Sequence, residues 1–130
     1  MPDNLRTLEQ IKAEFAFSCV KNAVQLGTNY KSYVKKLPML IKTNGLGPAF
    51  AFMFSKKNKE EGKYWNEIGK TIFDWLKECN KIDKNNVSNF DEFVEYLSKI
   101  NSTEYRILTN EVLSFLIWLK RFADGLITGD

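Results

Sequence analysis

Apolar and polar residues follow the period of an α-helix from the start of the chain. Between Leu8 and Leu26 the apolar positions recur every three or four residues, which places them on one helix face. These positions are Leu8, Ile11, Phe15, Cys19, Ala23 and Leu26. The charged residues that fall largely on the solvent-facing side are Glu9, Lys12, Glu14 and Lys21. We predict a first helix that is capped by Asp3 or Asn4. It ends at about Leu26, with Gly27 as its terminator.

The stretch over residues 30–55 predicts two helices joined by a turn at residues 43–48, which reads TNGLGP. With about 100° of rotation per residue, Lys31, Lys35 and Lys42 lie within roughly 40° of one another. The apolar residues on the opposite arc are Tyr30, Val34, Leu37, Leu40 and Ile41. The first helix of this pair therefore combines a cationic face with a core face.

Two prolines add detail to this pair of helices. Pro38 has no N–H to donate to the carbonyl of Val34, so we expect a kink or a short break there. Pro48 is well placed as the first residue of the second helix, where a missing N–H costs nothing. This second helix ends near Lys57, within a charged connector over residues 56–63.

Three further helices are predicted in the second half of the chain. The first two are expected over residues 64–78 and 89–100. The last, capped by Asn101-Ser102-Thr103, is expected to reach about Asp124. Residues 80–89 are rich in Lys, Asn and Asp, which predicts a loop. Ser88 and Asp91 resemble a capping arrangement for the middle helix, and Gly125 is expected to terminate the last one. The whole pattern predicts an all-α fold, a single-domain bundle of five to six helices over residues 1–130.

The last predicted helix is apolar nearly all round between Val112 and Leu119. Leu113 and Ile117 point away from the apolar residues of its other face. Those residues are Leu108, Val112, Leu116 and Leu119. A helix of this kind lies either at the centre of a bundle or against another subunit. We therefore take Leu113 and Ile117 as candidate subunit-interface residues.

The formal net charge of +3 conceals an uneven distribution. Residues 30–63 hold eight lysines and two glutamates, a net charge of +6, which leaves −3 for the rest of the chain. This asymmetry favours a surface that faces a polyanion. Lysines that only keep a helix and a loop soluble would give the same count, so charge alone leaves both interpretations open.

Catalytic chemistry finds little support in the sequence. The chain has no histidine, which removes the commonest general base and the imidazole metal ligand. No glycine-rich nucleotide-binding loop appears. Asp91 and Glu95 could together hold a divalent ion, but solvated helix faces carry such pairs far more often than metal sites do. We predict a protein that is not an enzyme and that has no cofactor or metal.

A helix-turn-helix DNA-binding protein is the alternative raised by two helices joined by a glycine-containing turn. Its second helix would have to present polar side chains to base edges in the major groove. Here the corresponding segment, residues 48–54, reads PAFAFMF, and its aromatic residues belong in a core. The turn therefore serves to pack a bundle.

The remaining sequence features concern the cellular compartment. Cys19 and Cys79 lie far apart in predicted helices and indicate neither a disulfide framework nor a zinc site. The N-terminal residues lack the apolar region of a signal peptide. The apolar run over residues 112–119 is too short to span a bilayer. We predict a soluble, cytoplasmic protein that does not bind a membrane.

Three segments of the chain together resemble a known family. The most specific reads SYVKKLP from Ser32, followed by TNGLG and FAF. Residues 8–16 and the closing segment over residues 111–126, which contains FLxWLKRFAxGL, fit the same pattern. On these residues the sequence resembles the small α-helical subunit of the Cmr complex, the type III-B CRISPR RNA-guided effector.

This resemblance implies a non-catalytic architectural protein. In that family several copies stack beside the effector backbone and help to hold target RNA against the guide RNA, while a backbone subunit cleaves the target. The implied partners are other Cmr subunits, copies of the chain itself, and guide and target RNA bound without sequence preference. The lysines expected to contact phosphates are Lys31, Lys35, Lys36, Lys42, Lys56 and Lys57.

A protein-interaction or scaffold bundle without direct nucleic-acid contact is the alternative. The apolar last helix and the low total charge favour it, and an assembly subunit can also carry both surfaces. Tyr30 and Tyr33 could stack on bases or belong to the core. Their position on the apolar arc favours the core.

Overall fold

Helices make up the regular secondary structure of the described part of the chain. The computed structural model describes residues 6–83 and 85–129. Its helices are α1 (Leu8–Ala23), α2 (Gly27–Asn44), α3 (Leu46–Ser55), α4 (Gly62–Glu78), α5 (Phe90–Leu97) and α6 (Ser102–Leu126). A short 3₁₀ turn, Val24–Leu26, joins α1 to α2, and no strand occurs within these described ranges. The predicted all-α class with five to six helices is confirmed.

The long helix α6 is the element against which much of the bundle packs. It lies along α1 and α2 and also contacts α4, while α3 packs against α2, α4 and α5. Trp75 of α4 stacks on Phe115 of α6, with ring centroids 5.6 Å apart. Phe15 of α1 contacts both rings. Removing such large apolar rings from water is the main stabilising contribution to the fold.

The first helix begins later than a cap at Asp3 or Asn4 would place it. Thr7 caps it, because the Thr7 hydroxyl accepts a hydrogen bond from the N–H of Gln10 (3.1 Å). In return the Gln10 side chain accepts one from the N–H of Thr7 (2.9 Å). This capping box satisfies two N–H groups at once, and α1 starts at the next residue. The predicted caps Asp3 and Asn4 lie outside the described residues.

Gly27 marks the junction between the first two helices, as the sequence predicts. The α-helical part of the first element nevertheless ends at Ala23, three residues early, and continues as the 3₁₀ turn. Gly27 has a φ of +76° and turns the chain directly into α2. A residue without a Cβ adopts this left-handed region at little cost.

Helix α2 continues through Pro38, so the predicted short break does not occur. The missing proline N–H leaves one carbonyl of the helix without its usual donor. Val34 and Leu37 are fully buried and Ile41 almost so on the same helix. Burial of this face offsets the lost hydrogen bond and keeps the helix continuous.

Helix α3 begins at Leu46, two residues before the predicted first residue, Pro48. Gly45, with a φ of +96°, makes the turn from α2. Pro48 occupies the third helical position, where an N–H still has no partner inside the helix, so its absence is tolerated. The N–H of Gly47 donates to the hydroxyl of Tyr105 on α6 (2.7 Å), which anchors the start of α3.

The start and end of α5 differ from the prediction. Asn89, rather than Ser88, caps the helix, because its side chain accepts a hydrogen bond from the N–H of Glu92 (2.9 Å). Ser88 instead donates its N–H and its hydroxyl to the Glu92 carboxylate. The helix ends at Leu97, three residues before the predicted bound.

Helix α6 is capped by Asn101, as predicted, whose side chain accepts a hydrogen bond from the N–H of Glu104 (2.8 Å). Gly125 lies inside its final turn and the helix ends at Leu126, so the predicted terminator is wrong. None of the helices formed by residues 6–83 and 85–129 combines the length and the apolar character that a bilayer span requires.

Candidate nucleic-acid surface

Lys31 is the predicted phosphate contact whose environment differs most from the expectation. Its side chain is buried, with 8% of the residue exposed. Its ammonium donates to the backbone carbonyls of Ile127 (3.0 Å) and Gly129 (2.6 Å). The prediction that Lys31 lies on an exposed face is wrong, because the segment after α6 folds over this edge of α2. A positive charge beside the C-terminal end of a helix, here α6, is electrostatically favourable.

A polar groove, here called the basic groove, lies beside this contact. It has a volume of about 430 Å³ and is lined by Lys31, Ser32, Lys35, Lys36 and Gly129. At its edge the ammonium of Lys35 pairs with the carboxylate of Asp124 on α6, at 3.1 Å. Both side chains are about half exposed, so the pair adds little to stability. It does neutralise one of the predicted phosphate contacts.

A second groove, here called the aromatic groove, opens between α2, α3 and α4. It has a volume of about 380 Å³ and is lined by Tyr33, Lys36, Met39, Leu40, Phe52, Glu61 and Trp65. Trp65 stacks on Tyr33 with ring centroids 4.7 Å apart. Phe52 meets Trp65 edge to face at 5.7 Å. Because Lys36 lines both grooves, the two grooves adjoin at this residue.

Two of the predicted RNA-contacting lysines hold their ammonium groups over rings of the aromatic groove. Lys36 Nζ lies 5.2 Å from the ring centroid of Tyr33. Lys56 Nζ lies 5.0 Å from that of Phe52. Contacts of this kind at exposed sites are worth about 0.5–1 kcal/mol. These ammonium groups can therefore leave the rings for a phosphate at small cost.

The other two predicted lysines lie apart from the grooves. Lys57 holds its ammonium 4.3 Å from the ring centroid of Phe54 and 3.5 Å from a carboxylate oxygen of Asp91 on α5. Lys42 is exposed in the last turn of α2. The structure thus gathers Lys31, Lys35, Lys36 and Lys56 around two adjoining grooves and directs Lys57 elsewhere.

The tyrosines of α2 divide between interior and surface. Tyr30 is fully buried, which confirms its predicted place in the core. Tyr33 is half-buried, with its ring against Trp65 and 5.4 Å from the ring of Tyr64. Tyr33 therefore contributes both to the packing of α2 on α4 and to the wall of the aromatic groove.

The two candidate interface residues of α6 differ in exposure. Leu113 is half-buried and packs against the core. Ile117 is 61% exposed. Ile107, earlier on the same helix, is also exposed by about half. Ile117 therefore leaves an apolar side chain in contact with solvent, whereas Leu113 belongs largely to the interior.

Lys12 of α1 joins a buried ion network, although the sequence pattern assigns it to the solvent-facing side. Only 3% of the residue is exposed. Its ammonium lies 3.0 Å from a carboxylate oxygen of Glu111 on α6 and 3.2 Å from one of Glu9. It also donates to the hydroxyl of Ser114 (2.7 Å). The prediction is wrong because α6 covers this side of α1.

Two indoles complete the buried ion network. Trp75 donates its indole N–H to Glu111 (2.8 Å), and Trp118 donates its own to Glu9 (2.9 Å). The Trp118 hydrogen bond is the main cause that lowers the pKa of Glu9, followed by the bond from Lys12. Burial alone would lower the pKa of Lys12. Hydrogen bonds and charges from Glu111 and Glu9 outweigh burial, so this pKa is raised.

The two carboxylates considered as a metal pair are each paired with a lysine, and the two cysteines have raised pKa values. Asp91 pairs with Lys57, and Glu95 pairs with Lys99 at 3.2 Å. Within the described ranges no three His, Cys, Asp or Glu side chains gather in an arrangement that could hold a metal ion. Burial raises the pKa of Cys19 to about 11 and also raises that of Cys79. Such thiols are weak nucleophiles at neutral pH.

The fold and its grooves define a small helical bundle with exposed lysines along α2. The sequence model of the family described as CRISPR-associated protein (Cas_Cmr5) matches residues 8–126. The chain belongs to the Cas_Cmr5 family. The resemblance drawn from the three sequence segments is thereby confirmed.

Two comparisons with proteins of Thermus thermophilus support the assignment. The chain is 27% identical over 125 residues to the CRISPR system Cmr subunit Cmr5 of that organism, covering 95% of this chain and 98% of the relative. It is also similar to the X-ray crystal structure of a CRISPR-associated Cmr5 family protein from the same organism. The TM-score is 0.76 at 29% identity, over 95% of this chain and 100% of the other.

Proposed function

We propose that the chain is a cytoplasmic, non-catalytic subunit of a type III-B CRISPR Cmr complex, in which residues 1–130 act as one helical domain. Its partners are other Cmr subunits, copies of itself, and guide and target RNA held without sequence preference. The observation that carries this proposal is the family match over residues 8–126. The relative of Thermus thermophilus, named as a Cmr subunit, supports the same role.

The lysines of α2 and of the end of α3 support the contact with RNA. Lys35, Lys36 and Lys42 lie exposed along one helix, and Lys56 follows at the end of α3. Ammonium groups bind phosphates as point charges and read no bases. Such contacts suit a complex in which sequence is read by pairing between guide and target. Lys31 lines the basic groove and contributes mainly positive potential, since two of its three ammonium donors are used by carbonyls.

Removing the acid that pairs with Lys35 tests this surface. Asp124→Asn should raise the affinity of the chain for a short single-stranded RNA several-fold, because it frees an ammonium for a phosphate. The log–log salt dependence should become steeper by about 0.7. Fluorescence anisotropy between about 50 and 200 mM salt measures both quantities.

Glu95→Gln provides the matched control, since it makes the same change in net charge at another ion-paired carboxylate, on α5. It should leave the affinity and the salt dependence nearly unchanged. Equal increases in RNA affinity for both variants would mean that only the net charge of the protein affects binding. No gain from Asp124→Asn would remove Lys35 from the RNA contact.

The exposed apolar side chain of Ile117 supports a subunit interface on α6. Ile117→Glu should strongly reduce co-purification of the other Cmr subunits with a tagged chain, because burying an unpaired carboxylate in an interface is costly. The circular dichroism of the isolated variant should remain helical. Quantitative mass spectrometry of the purified material from the source cell gives the measurement.

Ile107→Glu places the same charge at another exposed isoleucine of α6 and serves as the control. It should leave the co-purified subunits at their normal level. Undiminished recovery with Ile117→Glu would exclude this residue from the interface. A pure protein-interaction subunit, which the exposure of Ile117 also favours, would lose partners with Ile117→Glu yet show no response of RNA affinity to Asp124→Asn.

A further inference from the structure

The aromatic groove leaves large apolar side chains in contact with solvent. Met39 of α2 is 66% exposed and Phe52 of α3 is 41% exposed, and both line the same groove. Trp65 underneath is buried, with Tyr33 stacked on it and the edge of Phe52 against it. These contacts pack the edge of Phe52 against a buried indole, so one side of the groove is an aromatic surface.

The charges around this groove are mostly positive. Lys36 and Lys56 hold their ammonium groups over the rings of Tyr33 and Phe52, at 5.2 Å and 5.0 Å. Glu61 is the one acidic residue in the groove lining. An exposed aromatic ring between two ammonium groups matches a planar base flanked by its own phosphates.

We propose that the aromatic groove binds an unpaired base of single-stranded RNA. The base stacks on Phe52 beside Met39 and Tyr33, while Lys36 and Lys56 move from the rings to the flanking phosphates. This inference rests on the proposed RNA-binding function and extends it from phosphate contacts to a base. Lys36 supports it further, because it also lines the basic groove, so one strand can follow both surfaces.

RNA fits this groove better than an apolar protein segment does. A segment that buried the groove would also have to desolvate or displace the two ammonium groups at its rims, where only Glu61 compensates them. A strand of RNA brings a phosphate to each rim together with the base. Stacking requires no sequence preference, since every base has a π face.

Binding of an oligouridine compared with an abasic sugar-phosphate oligomer of equal length tests the proposal on the full chain. The two probes present the same phosphates, so any difference comes from the bases. We expect the oligouridine to bind roughly tenfold more tightly at low salt. Phe52→Leu keeps an apolar side chain without a ring and should abolish this difference, whereas Phe52→Tyr should retain it.

Phe17→Leu is the matched control, because Phe17 is 40% exposed on α1 and packs edge to face on Phe122. It should leave the tenfold preference intact. Met39→Ala, at a solvent-exposed position where unfolding is not a concern, should lose part of the preference. Circular dichroism melting of each variant verifies that it is folded.

Several results would overturn the proposal. Equal affinity for the two oligomers would exclude base stacking, and a persisting response to Asp124→Asn would then leave the phosphate contacts standing. A preference that survives Phe52→Leu would place the base elsewhere. Failure of the free chain to bind either oligomer would also count against the groove. Loss of concentration-dependent self-association with Phe52→Leu, with no change for either probe, would assign the groove to a second copy.

Discussion

Glu111→Ala is expected to lower the free energy of unfolding by roughly 3–5 kcal/mol, because it breaks a buried ion pair and leaves one charge uncompensated. Glu111 accepts from the ammonium of Lys12 and from the indole of Trp75. Without it, Lys12 keeps only the exposed Glu9 and a serine hydroxyl as partners. Urea denaturation followed by circular dichroism measures the change.

Glu14→Ala is the control, since Glu14 is a solvent-exposed acid on α1 whose partner is Arg6. This substitution should lower the free energy of unfolding by no more than about 1 kcal/mol.

The pH dependence of stability gives a second measure of the buried ion network. Folding raises the pKa of Lys12, so the stabilisation is complete below the unfolded pKa and is lost as pH rises through the folded one. The difference in unfolding free energy between wild type and Glu111→Ala should therefore narrow as pH rises through the folded pKa of Lys12. If Glu111→Ala costs no more stability than Glu14→Ala, Glu111 does not form a buried ion pair that stabilises the fold.

Gly62→Ala is expected to destabilise the fold by about 1–3 kcal/mol, the typical cost of forcing an extra methyl group into a packed site. A Cβ at Gly62 would lie 2.2 Å from the carbonyl oxygen of Lys56 and 2.7 Å from that of Lys57. These are backbone atoms, so the turn that carries both lysines has to move. Thermal melting measures the loss of stability.

Gly125→Ala, by contrast, is expected to stabilise the fold, although it also adds a methyl group to a glycine within a helix. Nothing lies within 4 Å of a Cβ at Gly125, and the residue is inside α6. Alanine there should stabilise the protein by up to about 1 kcal/mol, since it restricts the unfolded chain and favours the helix. A neutral Gly62→Ala, with Gly125→Ala stabilising, would mean that the turn before α4 yields easily.

The helices of this protein could be predicted because their apolar periodicity is regular. The errors in their bounds arise where a local hydrogen bond competes with the pattern. Thr7 begins α1 through its reciprocal contact with Gln10, and Asn89 outcompetes the neighbouring serine as the cap of α5. Gly125 fails to end α6 because glycine also tolerates helical dihedral angles.

The lysine-rich surface could be predicted only in part, because a helical wheel ranks positions without knowing what covers each side. Lys12 and Lys31 lie at the borders of apolar stripes, and in both cases the C-terminal part of the chain covers the ammonium. Only tertiary packing decides such borderline positions. The exposed lysines beside them needed no such information.

The aromatic groove was missed although the sequence contains a signal for it. Phe50 and Phe52 are two residues apart, which separates them by about 200° on a helix. Both rings therefore cannot face the same core, and in the structure Phe50 is fully buried while Phe52 is not. A wheel drawn for this short helix would have indicated an aromatic ring outside.

The hydrogen bonds from Lys31 to the carbonyls after α6 have a consequence for chemical footprinting. Amine acylation requires an accessible, deprotonated amine, and this one is enclosed by Ile127 and Gly129 while its neighbours Lys35 and Lys36 stand in solvent. Slow labelling at position 31 therefore reports how firmly the end of the chain is docked on α2, with or without RNA.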